Sequence, residues 1–248
     1  MKIKSLQPID ISSKQLLFAV LFLETLAIAL AIGIAIANGK GAYEYFGEGE
    51  PLTIISCLQI LVFSILALVI FLREKRSPDE RLFKNAGFWL ILSMGAFFLA
   101  LDDAFSIHEQ LDVWMHKILN IQETMVTDLT DDIIVGIYLI LALVYIASQW
   151  RTLGVFRSSF NYFKAGFLLG AVMVVLDILS NNTLFVSMVT DDSSVMNQML
   201  LWLGVLEEAV KVWAEGFFLV GVYQCWRVAS ASNKKQSTVN APSTATWK

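Results

Sequence analysis

Long apolar runs alternate along this chain with short basic or acidic stretches. Crossing a hydrocarbon core of about 30 Å takes a helix of about 20 apolar residues. Six runs come close to that length: residues 16–37, 52–72, 86–105, 133–150, 163–180 and 200–226. None contains proline; Pro8, Pro51, Pro78 and Pro242 all lie outside, and Pro51 stands where a first-turn proline is tolerated. The pattern predicts an all-α integral membrane bundle of six helices over residues 16–226. Residues 1–15 precede it, and a polar tail over 227–248, low in apolar content, is expected to be disordered. No internal period of 20–50 residues stands out.

Charge sets the expected orientation. Lys2, Lys4 and Lys14 precede the first run, and Arg73, Lys75, Arg76, Arg81 and Lys84 follow the second. Arg151, Arg157 and Lys164 follow the fourth, and Arg227, Lys234, Lys235 and Lys248 follow the sixth. The alternate loops hold only Lys40 and Lys117. Basic residues favour the cytoplasmic side, so both termini are expected inside. Ala35–Ile36–Ala37 looks like a cleavage site, but the run before it exceeds the 7–15 residues usual in a signal peptide, and the first run reads as a retained anchor.

Composition agrees and narrows the class. Of the 248 residues 56% are hydrophobic and 16% charged, with mean hydropathy +0.64, well below the charge content of a soluble domain. The net charge of −4 comes without a basic stripe, which gives no footing for nucleic-acid binding. Two cysteines exclude a disulfide scaffold or a Cys-rich zinc module, and Cys57 and Cys225 fall toward opposite faces of the bilayer. The expected partner is the lipid bilayer, with a lipid or small molecule as ligand; oligomeric state is left open.

Ionisable groups inside the runs are costly and therefore functional candidates. Glu24 lies in the first; Asp102 and Asp103 close the third, followed by His108, Glu109 and Asp112; Asp177 lies in the fifth; Glu207, Glu208, Lys211 and Glu215 lie in the sixth. At about 1.5 Å per residue, Asp102, Asp177 and the Glu207–Glu208 pair fall within about 6–12 Å of the outer edge, so three helices carry carboxylates at one level. Lys211 and Glu24 fall near mid-membrane. Glu207, Lys211 and Glu215 form an i, i+4 ladder that makes Lys211 the expected counter-charge. Between Ala96 and Val135 there is no Gly or Pro, so the third helix is expected to continue above the outer face through the amphipathic stretch EQLDVWMHKIL.

Such a layer can be a structural ion-pair network in a structural or partner-binding membrane protein, but here acids outnumber partners. Surplus buried carboxylates take up protons or bind a cation. As a metal centre, Asp102, His108, Glu109, Asp177 and Glu208 would be the ligands, suiting a divalent ion such as Zn or Mn, and Asp102, Asp103, Glu207, Glu208 and Lys211 would carry catalysis, leading to a hydrolase on a lipid or membrane-proximal substrate. The alternative is a proton- or cation-coupled transporter or sensor, whose polar path would continue through Lys211, Glu215 and Glu24. No HExxH, paired ExxH or G-x-S-x-G motif is present.

The runs LDDAFSIHE and EEAVK, with Asp177 between them, resemble an uncharacterised group of bacterial polytopic membrane proteins that carry LD[DE]-x4-HE at the end of one helix and E[ED]-x2-K in the last. The stretch GEGEPLTIIS resembles their first external loop. That resemblance implies a bacterial plasma-membrane protein and a shared polar site; it implies no activity. Intramembrane zinc hydrolases of the ceramidase and adiponectin-receptor type are an analogy only, since they use several histidines and this chain has two.

Overall fold

Helix α1 (Ser13–Ala37) starts on a capping box: Ser12 accepts from the Gln15 amide while the Gln15 side chain accepts from the Ser12 backbone. It ends where Gly39 adopts φ +69, letting the Gly39 and Lys40 amides reach the Ile36 and Ala35 carbonyls. A 3-10 turn, Ala42–Tyr45, leads into α2 (Pro51–Glu74), which opens on proline and is tied back by the Thr53 hydroxyl donating to the Gly47 carbonyl. Then come α3 (Glu80–Phe105), α4 (Ile107–Leu119), α5 (Thr130–Ser148), a 3-10 segment Thr152–Ser159, α6 (Phe160–Ser180), α7 (Thr183–Ser187) and α8 (Ser193–Val239). This computed structural model describes residues 11–47, 49–76, 80–119, 130–149, 152–181 and 183–239, and no strand occurs among them.

Among the described residues, four helical segments are long and apolar enough to cross a membrane: Ser13–Ala37, Pro51–Glu74, Ala86–Phe105 and Leu153–Asn181. Two of the six expected runs fall short by that measure. The described apolar part of α5, Gly136–Ser148, is shorter than a span. Residues 200–226 lie within α8 and carry Glu207, Glu208, Lys211 and Glu215, which lower the hydropathy of that stretch.

Helix α8 is the hub. It packs against α6, α2 and α1, and α2 in turn packs against α3. Glycines let α6 and α8 approach closely: a Cβ on Gly166 would stand 3.0 Å from the Phe218 ring, and one on Gly221 would stand 2.9 Å from the Phe163 ring. Two apolar clusters cap the ends of the bundle. One gathers Trp89, Phe156, Val222 and Trp226; the other gathers Ile28, Phe46, Leu52, Val205 and Val212. Between them the interior is polar, while Phe18, Phe22, Leu23, Leu30 and Ile34 of α1 face outward, an inside-out arrangement suited to a lipid surround.

Two expectations change. The third helix does not run on above Phe105: Ser106 takes φ +49, left-handed backbone that a non-glycine residue rarely adopts, and α4 starts as a separate helix packed on α5. Gln110 stabilises the break by donating from Nε2 to the Phe105 carbonyl at 2.6 Å. In addition, α8 stays helical to Val239, past the expected end of the sixth run at 226, which makes it 47 residues and about 70 Å long.

Candidate functional site

The polar interior centres on Lys211. Its Nζ lies 2.8 Å from Glu208 Oε2 and 3.1 Å from Oε1, one helical turn earlier on α8, and 3.4 Å from Asp103 Oδ1 on α3. Asp103 Oδ2 accepts from the Ser56 hydroxyl of α2 at 2.7 Å and stands 3.3 Å from Cys57 Sγ. The same Ser56 oxygen lies 2.8 Å from Glu215 Oε1. Three helices thus supply one connected chain, Glu208–Lys211–Asp103–Ser56–Glu215. The turn spacing of α8 places Glu208, Lys211 and Glu215 on one stripe, and α2 answers with a stripe of buried polar residues, Thr53, Ser56, Gln59 and Ser64.

Hydrogen counting gives this chain its chemistry. Ser56 has a single hydroxyl proton. Donated to Asp103, it leaves a lone pair facing Glu215; donated to Glu215, it leaves one facing Asp103. Both contacts are hydrogen bonds only when one of the two carboxyls itself carries a proton. The group therefore holds three carboxyls, one ammonium and room for an extra proton.

Glu24 forms a neighbouring pair. It is 2% exposed, near the middle of α1, and its Oε1 accepts from Gln59 Nε2 at 2.9 Å. Its carboxyl presses on the backbone of Gly216, where a Cβ would clash with Oε1 and would stand 3.0 Å from Oε2. Lys211, expected to bridge toward Glu215 or Glu24, contacts Glu208 and Asp103 directly and is linked to Glu215 through Asp103 and Ser56, while Glu24 is bound by an amide.

Glu207, on the other side of α8, accepts from the Ser180 hydroxyl at 2.8 Å, and Asp177 accepts from Asn181 Nδ2 at 2.9 Å. Over this end lies Tyr43, its ring seated on Gly204 and within electrostatic reach of Glu208, Glu207, Lys211 and Asp177. Burial, reinforced by those carboxylates, pushes the Tyr43 phenol up to about 12. Asp102 is buried and within electrostatic reach of Tyr138 of α5.

Of the residues singled out from sequence, Asp103, Glu208 and Lys211 meet directly, and Asp177 and Glu207 sit beside them on the α6–α8 seam. The side chains of His108, Glu109 and Asp112 lie outside the described residues. Among the described residues, no group of three or more His, Cys, Asp or Glu side chains is arranged to hold a metal ion. Glu208 is instead engaged by an ammonium, and adjacent Asp102 and Asp103 point to different partners. Ser56, Cys57 and Gln59 were not among the candidates, although their polarity inside an apolar run is a readable signal.

The family model described as "Domain of unknown function (DUF8692)" matches residues 15–225. The chain belongs to this family. The DUF8692 match takes in α1 through most of α8, so Glu24, Ser56, Gln59, Asp103, Glu208, Lys211 and Glu215 all lie within it. An uncharacterised family is also what the two short motifs implied. No curated protein and no solved structure matches the chain.

Proposed function

We propose that this DUF8692 protein is a multi-pass protein of the bacterial plasma membrane, with six spans and both termini cytoplasmic, that takes up and releases a proton within its bundle and couples that step to transport or sensing. The observation that carries this reading is the single Ser56 hydroxyl set 2.7 Å from Asp103 and 2.8 Å from Glu215. That position suits a proton that moves between two carboxyls. Lys211 holds Asp103 and Glu208 in place as their counter-charge. Tyr43 and the Asp177–Glu207 end form the mouth, which the positive-inside pattern of Lys and Arg sets on the outer face.

A metal-dependent hydrolase needs Asp102, His108, Glu109, Asp177 and Glu208 to meet around an open coordination position. The pairing of Glu208 with Lys211 favours the proton reading over it, because an ammonium already neutralises that carboxylate.

Infrared difference spectroscopy of the full chain in lipid bilayers, taken against pH, tests the proposal. A protonated-carboxyl band at neutral pH that is lost in Asp103→Asn or Glu215→Gln, and altered in Ser56→Ala, is the expected result. A band set unchanged by all three substitutions overturns it.

A further inference from the structure

Of the four polar side-chain atoms of Gln59 and Glu24, two are joined to each other and two are not. Gln59 Nε2 donates to Glu24 Oε1 at 2.9 Å. Among the described residues, Glu24 Oε2 and Gln59 Oε1 have no hydrogen-bond partner, although both atoms are fully buried. The residues carrying them are 2% and 9% exposed. Two buried acceptors without donors are expensive, at about 1–3 kcal/mol each and more for an ionised oxygen. Both belong to groups already in contact, and an acceptor cannot satisfy another acceptor. What the pair lacks is one hydrogen.

We infer that Glu24 and Gln59 form a second proton-binding site in which Glu24 is a neutral acid, closed with the Gln59 amide into a two-point ring. In that ring Gln59 Nε2 donates to Glu24 Oε1, and the acid hydroxyl on Glu24 Oε2 donates to Gln59 Oε1. The O–H bond is the only bond formed, and on release the proton passes to water or to another carboxyl. Gly216 makes the site possible, because any side chain there would displace the Glu24 carboxyl. Helix α2 brings no charged side chain to this level, since Arg73 and Glu74 stand at its far end. On α8 the charged groups near this level are Glu208, Lys211 and Glu215, whose described bonds run to one another, to Asp103 and to Ser56, while Glu207 accepts from Ser180 and Arg227 stands about three turns beyond Gly216. The 3-10 turn contributes Glu44, which is exposed and paired with Lys40. Among the described residues, therefore, no cation stands ready to hold Glu24 as a carboxylate, and a proton is the ligand that fits.

The site lies one turn of α2 from Ser56, which makes it a second station next to the first. Only that placing in a route rests on the proposed function; the hydrogen count at Glu24 stands by itself.

The test uses the full chain in lipid bilayers. Infrared difference spectra should show a protonated-carboxyl band at neutral pH that Glu24→Gln removes and Gln59→Leu shifts. Glu24→Gln preserves two hydrogen bonds to Gln59 as an amide–amide pair, so its thermal stability should match wild type. Glu24→Leu, which strands Gln59, should lower it. A spectrum unchanged by Glu24→Gln overturns the inference, as does loss of the Glu24 band when sodium replaces choline at constant pH, which would make the ligand a metal cation. These outcomes are independent of the Asp103 and Glu215 bands, so failure here and failure of the proposed function are read separately.

Discussion

Lys211 reaches Glu208, not Glu207, and holds it at 2.8 Å across a single turn of α8. Its ammonium also faces Asp103, so one cation serves two carboxylates. Lys211→Met would strand both in the interior. Breaking a buried ion pair from one side costs about 3–5 kcal/mol. The expected outcome is a large loss of thermal stability in Lys211→Met that Lys211→Met with Glu208→Gln recovers in part, while Lys211→Met with Glu207→Gln recovers nothing. Thermal unfolding of the three variants in detergent makes the comparison.

Ser56→Ala removes the hydroxyl between Asp103 and Glu215 and leaves both oxygens short of a partner. The expected cost is about 1–3 kcal/mol. Ser56→Thr keeps the hydroxyl and should retain more of the stability than the alanine variant. Denaturation midpoints of the two variants side by side decide whether the hydroxyl or the space matters.

Tyr43 carries a pH signature outside the spans. Its phenol is pushed from 10.0 to about 12, chiefly by burial. Below pH 10 both the folded and the unfolded protein keep this proton. As pH climbs toward 12 the unfolded chain releases it first, so folding stability falls through that window. Tyr43→Phe should flatten this part of the stability profile without changing it at neutral pH. Melting temperatures of wild type and variant from pH 9 upward give the difference curve; identical slopes would refute the assignment.

Close approach of α6 and α8 predicts a steric effect. A Cβ on Gly221 would sit 2.9 Å from the Phe163 ring. Overpacking of this kind costs about 1–3 kcal/mol. Gly221→Ala should therefore lower the unfolding temperature, and pairing it with Phe163→Leu should restore part of the loss.

Backbone strain at Ser106 works in the opposite direction. Left-handed backbone costs a non-glycine residue about 1–2 kcal/mol. Ser106→Gly should stabilise the protein, and Ser106→Val should destabilise it, as read by thermal unfolding.

Much of the architecture was legible because long apolar runs admit few interpretations. α1, α2, the apolar part of α3 and α6 follow from them. The break at Ser106 was not legible, since neither glycine nor proline marks it and the turn depends on a serine held in an unusual conformation beside Gln110. Depth along a helix located the polar layer, but depth does not choose between neighbours. Consecutive residues differ in direction by about 100°. That rotation is why Asp103 and Glu208 join Lys211 while Asp102 and Glu207 turn to other partners. Ser56 and Gln59 were less legible because uncharged polar residues barely dent the hydropathy of a run. Their spacing of one turn, continued back to Thr53, is the readable signal of a polar stripe.

Ser64 and Ser93 each donate a hydroxyl to the other's backbone carbonyl, at 2.8 and 2.9 Å, deep between α2 and α3. This reciprocal clasp fixes the register of the two helices at one point along their length. Ser56 and Asp103, carried on the two halves of the clasp, form a stator whose parts keep their spacing. Under the proposed function, α8 is then the element left to answer a change of charge at the site, and it runs on well past the site to Val239.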